Sequence, residues 1–109
     1  MGRSDKRQIE SRLEILLAHL LKWRFQPGGR GGSWVGTIFE QRSRLIGLVE
    51  ESPSLREFQR QEVFKGYPAA RLLAARETGI ALAVFPAECP FTPEQVLDLE
   101  YFPEDRKEE

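Results

Sequence analysis

With 109 residues, 40% of them hydrophobic and 30% charged, the chain is large enough for one domain with a modest core and no more. Sixteen Lys and Arg against seventeen Asp and Glu leave a formal charge of -1, which excludes any global electrostatic pull toward nucleic acid or anionic membrane. One cysteine, Cys89, and one histidine, His19, rule out an internal disulfide, a thiolate zinc site and any two-histidine metal site.

The polar residues from Met1 to Arg7 lead straight into a charged amphipathic run, unlike a secretion signal. The longest apolar stretch, Ile15 to Leu21, holds His19 and is too short to span a bilayer. The expectation is a soluble, cytoplasmic protein with no membrane partner.

A first helix is predicted from Ser4 or Asp5, both good N-caps, to between Arg24 and Gln26, because Pro27 disfavours helical geometry before it. At 100° per residue, Ile9, Leu13, Leu16, Leu17, Leu20, Leu21 and Trp23 fall in one band roughly 160° wide. Ile15 and Ala18 lie outside it. So wide a band needs two partners. The sequence reading therefore expects Leu13, Leu17 and Leu21 to form an open interaction surface.

Pro27-Gly28-Gly29-Arg30-Gly31-Gly32 follows as a hinge, with Ser33 a plausible cap for the next helix. Glycines before a helix can cradle phosphate, but the Gly-Lys-Ser/Thr ending and the preceding strand of a phosphate loop are missing. A flexible connector between antiparallel helices explains the composition without a ligand. The second helix runs from about Trp34 to Glu51 and ends at Ser52-Pro53. Trp34, Ile38, Leu45, Leu48 and Val49 share its apolar face, where Gln41 and Arg42 also fall.

Ser54-Leu55-Arg56-Glu57 has the form of a capping box. A long third helix would continue to Thr78, kinked or broken between Phe64 and Pro68, with Gly79 as left-handed cap. Ile80 to Phe91 is apolar but carries Pro86 and Pro90, and fits an extended segment laid over the core. Thr92-Pro93-Glu94-Gln95 opens a short last helix, and Tyr101-Phe102-Pro103 would dock on the body. The fold class is all-α: an antiparallel helical hairpin, a long kinked third helix and a short C-terminal helix. Residues 1–103 make a single domain; residues 104–109, all charged, make a frayed tail.

Chemistry-bearing residues are few. His19 reads as a helix-flank ring stacked on Trp23, or as a general base lacking any motif-placed partner. Cys89 has no cation beside it in sequence and reads as a half-buried, inert thiol. Glu10 and Glu14 lie one turn apart, and either carboxylate could form a structural ion pair with Arg42 across the hairpin. A carboxylate-bundle metal site would need Glu-x-x-His pairs, which the chain lacks. Lys22, Trp23, Arg24, Arg30 and Trp34 make a basic, aromatic patch of a type that can stack on single-stranded nucleic acid. The plainer reading closes the core with the rings and leaves the cations solvated. No catalytic set, cofactor fingerprint or metal set emerges.

The run from Glu10 to Trp23, then Ser33-Trp34, Thr37-Ile38 and Gln41-Arg42, resembles the bacterial DUF29 family. Glu51-Ser52-Pro53-Ser54-Leu55, Ala75-Arg76-Glu77-Thr78-Gly79 and Phe85-Pro86 with Cys89-Pro90-Phe91 extend the likeness over nearly the whole chain. The resemblance implies a small all-helical domain and implies no activity. Members usually carry a further N-terminal segment ahead of the Met1-Gly2-Arg3-Ser4 region, so the expectation is a truncated member whose first helix is partly uncovered. The functional expectation is accordingly a non-enzymatic protein-interaction or dimerisation module, a homo-oligomer or the ligand of a protein partner. The alternative is a nucleic-acid-associated factor working through the basic, aromatic hinge.

Overall fold

A computed structural model describes residues 3–104. Five α-helices follow one another: α1 (Arg3–Phe25), α2 (Gly32–Glu51), α3 (Arg56–Lys65), α4 (Tyr67–Thr78) and α5 (Pro93–Leu97). No strand occurs among the described residues. The predicted charged tail from residue 105 onward lies outside them.

α1 is the central helix. It packs on α2, α4 and α3, and these neighbours together seal its apolar side. Ile9, Leu13, Leu16, Leu17, Ala18, Leu20 and Leu21 have no exposed surface. The expectation of an open leucine face is therefore corrected: Leu13, Leu17 and Leu21 are sealed within a single protomer. α2 and α4 cover that face together. Of the buried positions of α4, Tyr67, Ala70 and Ala74, the two alanines put small side chains on the face that packs. Each buried leucine contributes about 2 kcal/mol by removal of apolar surface from water, so the packing around α1 dominates the fold.

The anticipated long third helix is two helices. The chain breaks at Gly66, whose amide still bonds to the Glu62 carbonyl, and Pro68 sits in the first turn of α4, where a missing N–H costs nothing. Gly79 ends α4 with a φ of 77°, the left-handed geometry glycine tolerates best.

Caps fared unevenly. Ser54 sits inside a 3-10 turn, Pro53–Leu55, and α3 opens on Leu55 without a side-chain cap, so the capping box expected there is not formed. Ser33 likewise falls inside α2, whose cap position is Gly31. At α5 both halves of the box exist: the Gln95 amide donates to Thr92 Oγ1 at 3.1 Å, and the Thr92 amide to Gln95 Oε1 at 3.0 Å.

Between α4 and α5 the chain is extended apart from a 3-10 turn at Leu82–Val84. Side chains satisfy its backbone in place of a neighbouring strand. Tyr67 Oη donates to the Pro86 carbonyl at 2.7 Å, and Arg71 donates to the Phe85 carbonyl through Nε and Nη2 at 3.3 and 2.9 Å. Phe85 and Phe91 are buried plugs, the first set edge-on against Phe25 with ring centroids 5.2 Å apart.

Candidate functional site

The hinge brings the predicted basic and aromatic residues together but turns them on one another. After α1 the chain makes a 3-10 turn at Pro27–Gly29 with no buried residue. Lys22, nearly buried, donates to Glu77 Oε1 at 2.7 Å and stands 5.4 Å from the Trp34 ring centre. Arg30 Nε donates to the Trp23 carbonyl at 2.7 Å while its guanidinium lies 5.2 Å from that residue's ring. Phe102 covers Trp23 at 4.6 Å, and Arg24 stands 5.2 Å from the Phe25 ring. Gly29 lies against Trp34 so tightly that a Cβ there would come within 2.5 Å of the indole. Trp23 thus packs on the end of the core while Trp34 lies against Gly29, His19 and Lys22, and the cations expected to stay solvated are engaged: Lys22 with Glu77 and Arg30 with the Trp23 carbonyl.

His19 meets Trp34, not the anticipated Trp23, in an edge-on contact with centroids 6.4 Å apart. Its Nδ1 lies 2.9 Å from the Ile15 carbonyl, which makes Nδ1–H the donor. Burial pulls the imidazole below its ordinary pKa, partly opposed by that carbonyl. Cys89 donates to the Phe91 carbonyl at 3.4 Å, and burial pushes its thiol up, away from the nucleophilic thiolate. It lines a cleft of about 290 Å³ with Phe64, Tyr67 and Pro68. Among the described residues no group of three or more metal-ligating side chains gathers.

Arg42 does not meet Glu10 or Glu14. It is fully buried, and its partners are backbone: Nε donates to the Val96 carbonyl at 2.7 Å and Nη2 to the Gln95 carbonyl at 3.2 Å. Its Nη1 has no partner among the described residues, and the guanidinium stands 5.6 Å from the Phe102 ring. Burial pulls its pKa down and the Asp98 charge pushes it back up. Arg42 therefore fastens α5 and the terminal segment to α2. Glu10 faces α3 instead: burial, together with the charge of Glu10, raises the Glu62 carboxyl there.

One groove was not anticipated. About 790 Å³ in volume, it runs over the early turns of α1 beside the middle of α2. Ser4, Gln8, Ser11 and Ile15 recur at helical spacing along its floor, with Arg7 and Arg12 on either flank. Arg12 is held in place by two amide oxygens, Nε to Gln8 Oε1 at 3.3 Å and Nη1 to Gln41 Oε1 at 3.1 Å. No carboxylate lines the groove among the described residues. The polar recurrence at positions 4, 8 and 11 was the available signal, but it resembles any solvated helix face.

Fold and surface together define a small all-helical domain built round one central amphipathic helix. The chain belongs to the DUF29 family, a domain of unknown function, whose pattern matches residues 1–102. No curated protein and no solved structure matches it. Among the described residues no helix is long and apolar enough to cross a membrane.

Proposed function

We propose that the chain is a non-enzymatic, cytoplasmic interaction module that pairs with a second copy of itself through the outer face of α2. The observation carrying this reading is that Phe39 and Val35, one turn apart, are 57% and 41% exposed. Beside them stands Gly36, where an added Cβ would meet nothing within 4 Å. Glycine within a helix costs roughly 0.5–1 kcal/mol relative to alanine, and no contact inside the protomer offsets it here. Close approach of another helix would. α2 is about 30 Å long at 1.5 Å per residue, against a protomer axis of 41 Å. An antiparallel α2–α2 contact would thus run most of the length of the molecule, in the symmetric arrangement commonest for dimers. The alternative role at nucleic acid has weaker support, since Lys22 is committed to Glu77 and Arg30 to Trp23.

Sedimentation velocity from micromolar to millimolar concentration tests this. A reversible dimer abolished by Phe39→Glu is expected. Gly36→Ala should stabilise the protomer by about 0.5–1 kcal/mol while weakening the dimer, opposite signs that a purely structural glycine would not give. A monomer throughout, or a dimer indifferent to Phe39→Glu, overturns the reading.

A further inference from the structure

We infer that the groove between α1 and α2 is a recognition site for an acidic segment of a protein partner, bound as an extended chain. This surface is separate from the outer face of α2: Gln41, which closes the groove, projects from the side of α2 opposite Phe39.

Charge is the first argument. Two guanidinium groups flank the groove, and its floor offers hydroxyls and amides without a carboxylate among the described residues. Neither Arg7 nor Arg12 forms an ion pair with a described residue. Elsewhere on this chain cations find acids readily, as in Lys22 with Glu77 and Arg60 with Glu94 at 2.6 Å.

Preorganisation is the second. Gln8 and Gln41 hold Arg12 from two helices by two of its five N–H groups. The Nη2 amino group is left with no acceptor among the described residues. A guanidinium whose rotamer is already fixed loses less entropy on binding, and its planar fork matches a carboxylate's two oxygens.

Dimensions are the third. Arg7 and Arg12 are five residues apart, about 7.5 Å along the helix axis. The two guanidinium groups come from opposite flanks, and neighbouring side chains of an extended peptide point to opposite sides. A run of consecutive acidic residues would therefore reach both arginines. From Ser4 to Ile15 the floor extends about 16 Å, room for roughly five extended residues. Ile15, half-buried at the far end, supplies an apolar contact for the residue that follows. The serine and glutamine side chains between can meet the peptide backbone.

The test is fluorescence anisotropy on the full chain with a labelled peptide of consecutive glutamates, beside the same peptide with every glutamate replaced by glutamine. Saturable binding of the acidic peptide alone is expected, weakening steeply as salt rises. Arg12→Gln and Arg7→Gln should each weaken it about tenfold, the loss of one charge-assisted contact. Phe39→Glu should leave it unchanged, so failure here is distinguishable from failure of the dimer. In the unaltered chain, the Nε–H resonance of Arg12 should shift on titration, a readout independent of how the variants fold. Equal binding of the glutamine peptide, indifference to both arginine variants, or a still Arg12 resonance overturns the inference. So does arginine-dependent binding of a single-stranded oligonucleotide without binding of the acidic peptide.

Discussion

Replacing Arg42 should undo the C-terminal third of the fold before it undoes the rest. The side chain is fully buried and donates at 2.7 and 3.2 Å to the last carbonyls of α5. Each such charge-assisted bond is worth about 1.5–3 kcal/mol, but burial of the charge takes back several kcal/mol, and Nη1 goes unpaired. Arg42→Met removes the bonds and the buried charge together while keeping most of the volume, so a loss of about 1–2 kcal/mol is expected. Arg42→Ala adds a cavity and leaves both carbonyls facing it, for a loss of about 3–4 kcal/mol. At roughly 4–8 °C per kcal/mol for a domain of this size, Arg42→Ala should melt at least about 12 °C lower. Urea denaturation followed by circular dichroism gives the stabilities. Hydrogen exchange at low denaturant should show amides from Val96 to Phe102 opening well before those of α1. An alanine variant within about 1 kcal/mol of the parent, or one with α5 exchanging no faster than α1, refutes the latch.

Two further outcomes follow from local geometry. Gly29→Ala drives a Cβ into the Trp34 ring and should cost about 1–3 kcal/mol, with a red-shifted Trp34 emission in a Trp23→Phe background; Gly28→Ala, with nothing within 4 Å, should stay within about 0.5 kcal/mol, and equal effects would contradict the packing. Glu62 is raised above its unfolded pKa by burial and by Glu10, so its ionisation opposes folding once pH climbs past the unfolded value. Glu62→Gln should therefore stabilise by a few tenths of a kcal/mol at pH 7 and by nothing at pH 3, the effect kept small by solvent screening. Urea midpoints at the two pH values check the sign, and a gain at pH 3 equal to that at pH 7 would refute it.

Helix starts and stops marked by a side chain with a single geometric use were legible. Pro27, Ser52-Pro53, Gly79 and the Thr92–Gln95 box all fall where their chemistry requires. Ser54-Leu55-Arg56-Glu57 misled because Pro53 opens a tighter 3-10 turn that places Ser54 one position too early to cap α3. The partner of Arg42 was illegible for a different reason. Its acceptors are main-chain carbonyls at a helix end, and a carbonyl has no letter in a sequence. Glu10 and Glu14 are carboxylates one turn apart on the opposing helix, yet the acidic group whose charge reaches Arg42 is Asp98, beyond α5.

The α1 leucines carry the broader lesson. A wide apolar band states how much surface must be covered and is silent on what covers it. Alanine favours a helix wherever that helix packs, so Ala70 and Ala74 do not announce that they lie buried on the packed face of α4. Once α2, α3 and α4 have taken their places, the early turns of α1 keep an exposed side. Lys6 and Glu10 lie on it outside the groove, and Ser4, Gln8 and Ser11 lie within, bordered by two arginines. Only the groove carries cations without a carboxylate among the described residues. The residues there satisfy no packing demand of the protomer. Two arginines answer to an anionic chain, and Ile15 with the aliphatic stems of the arginines and glutamines gives the same chain an apolar bed.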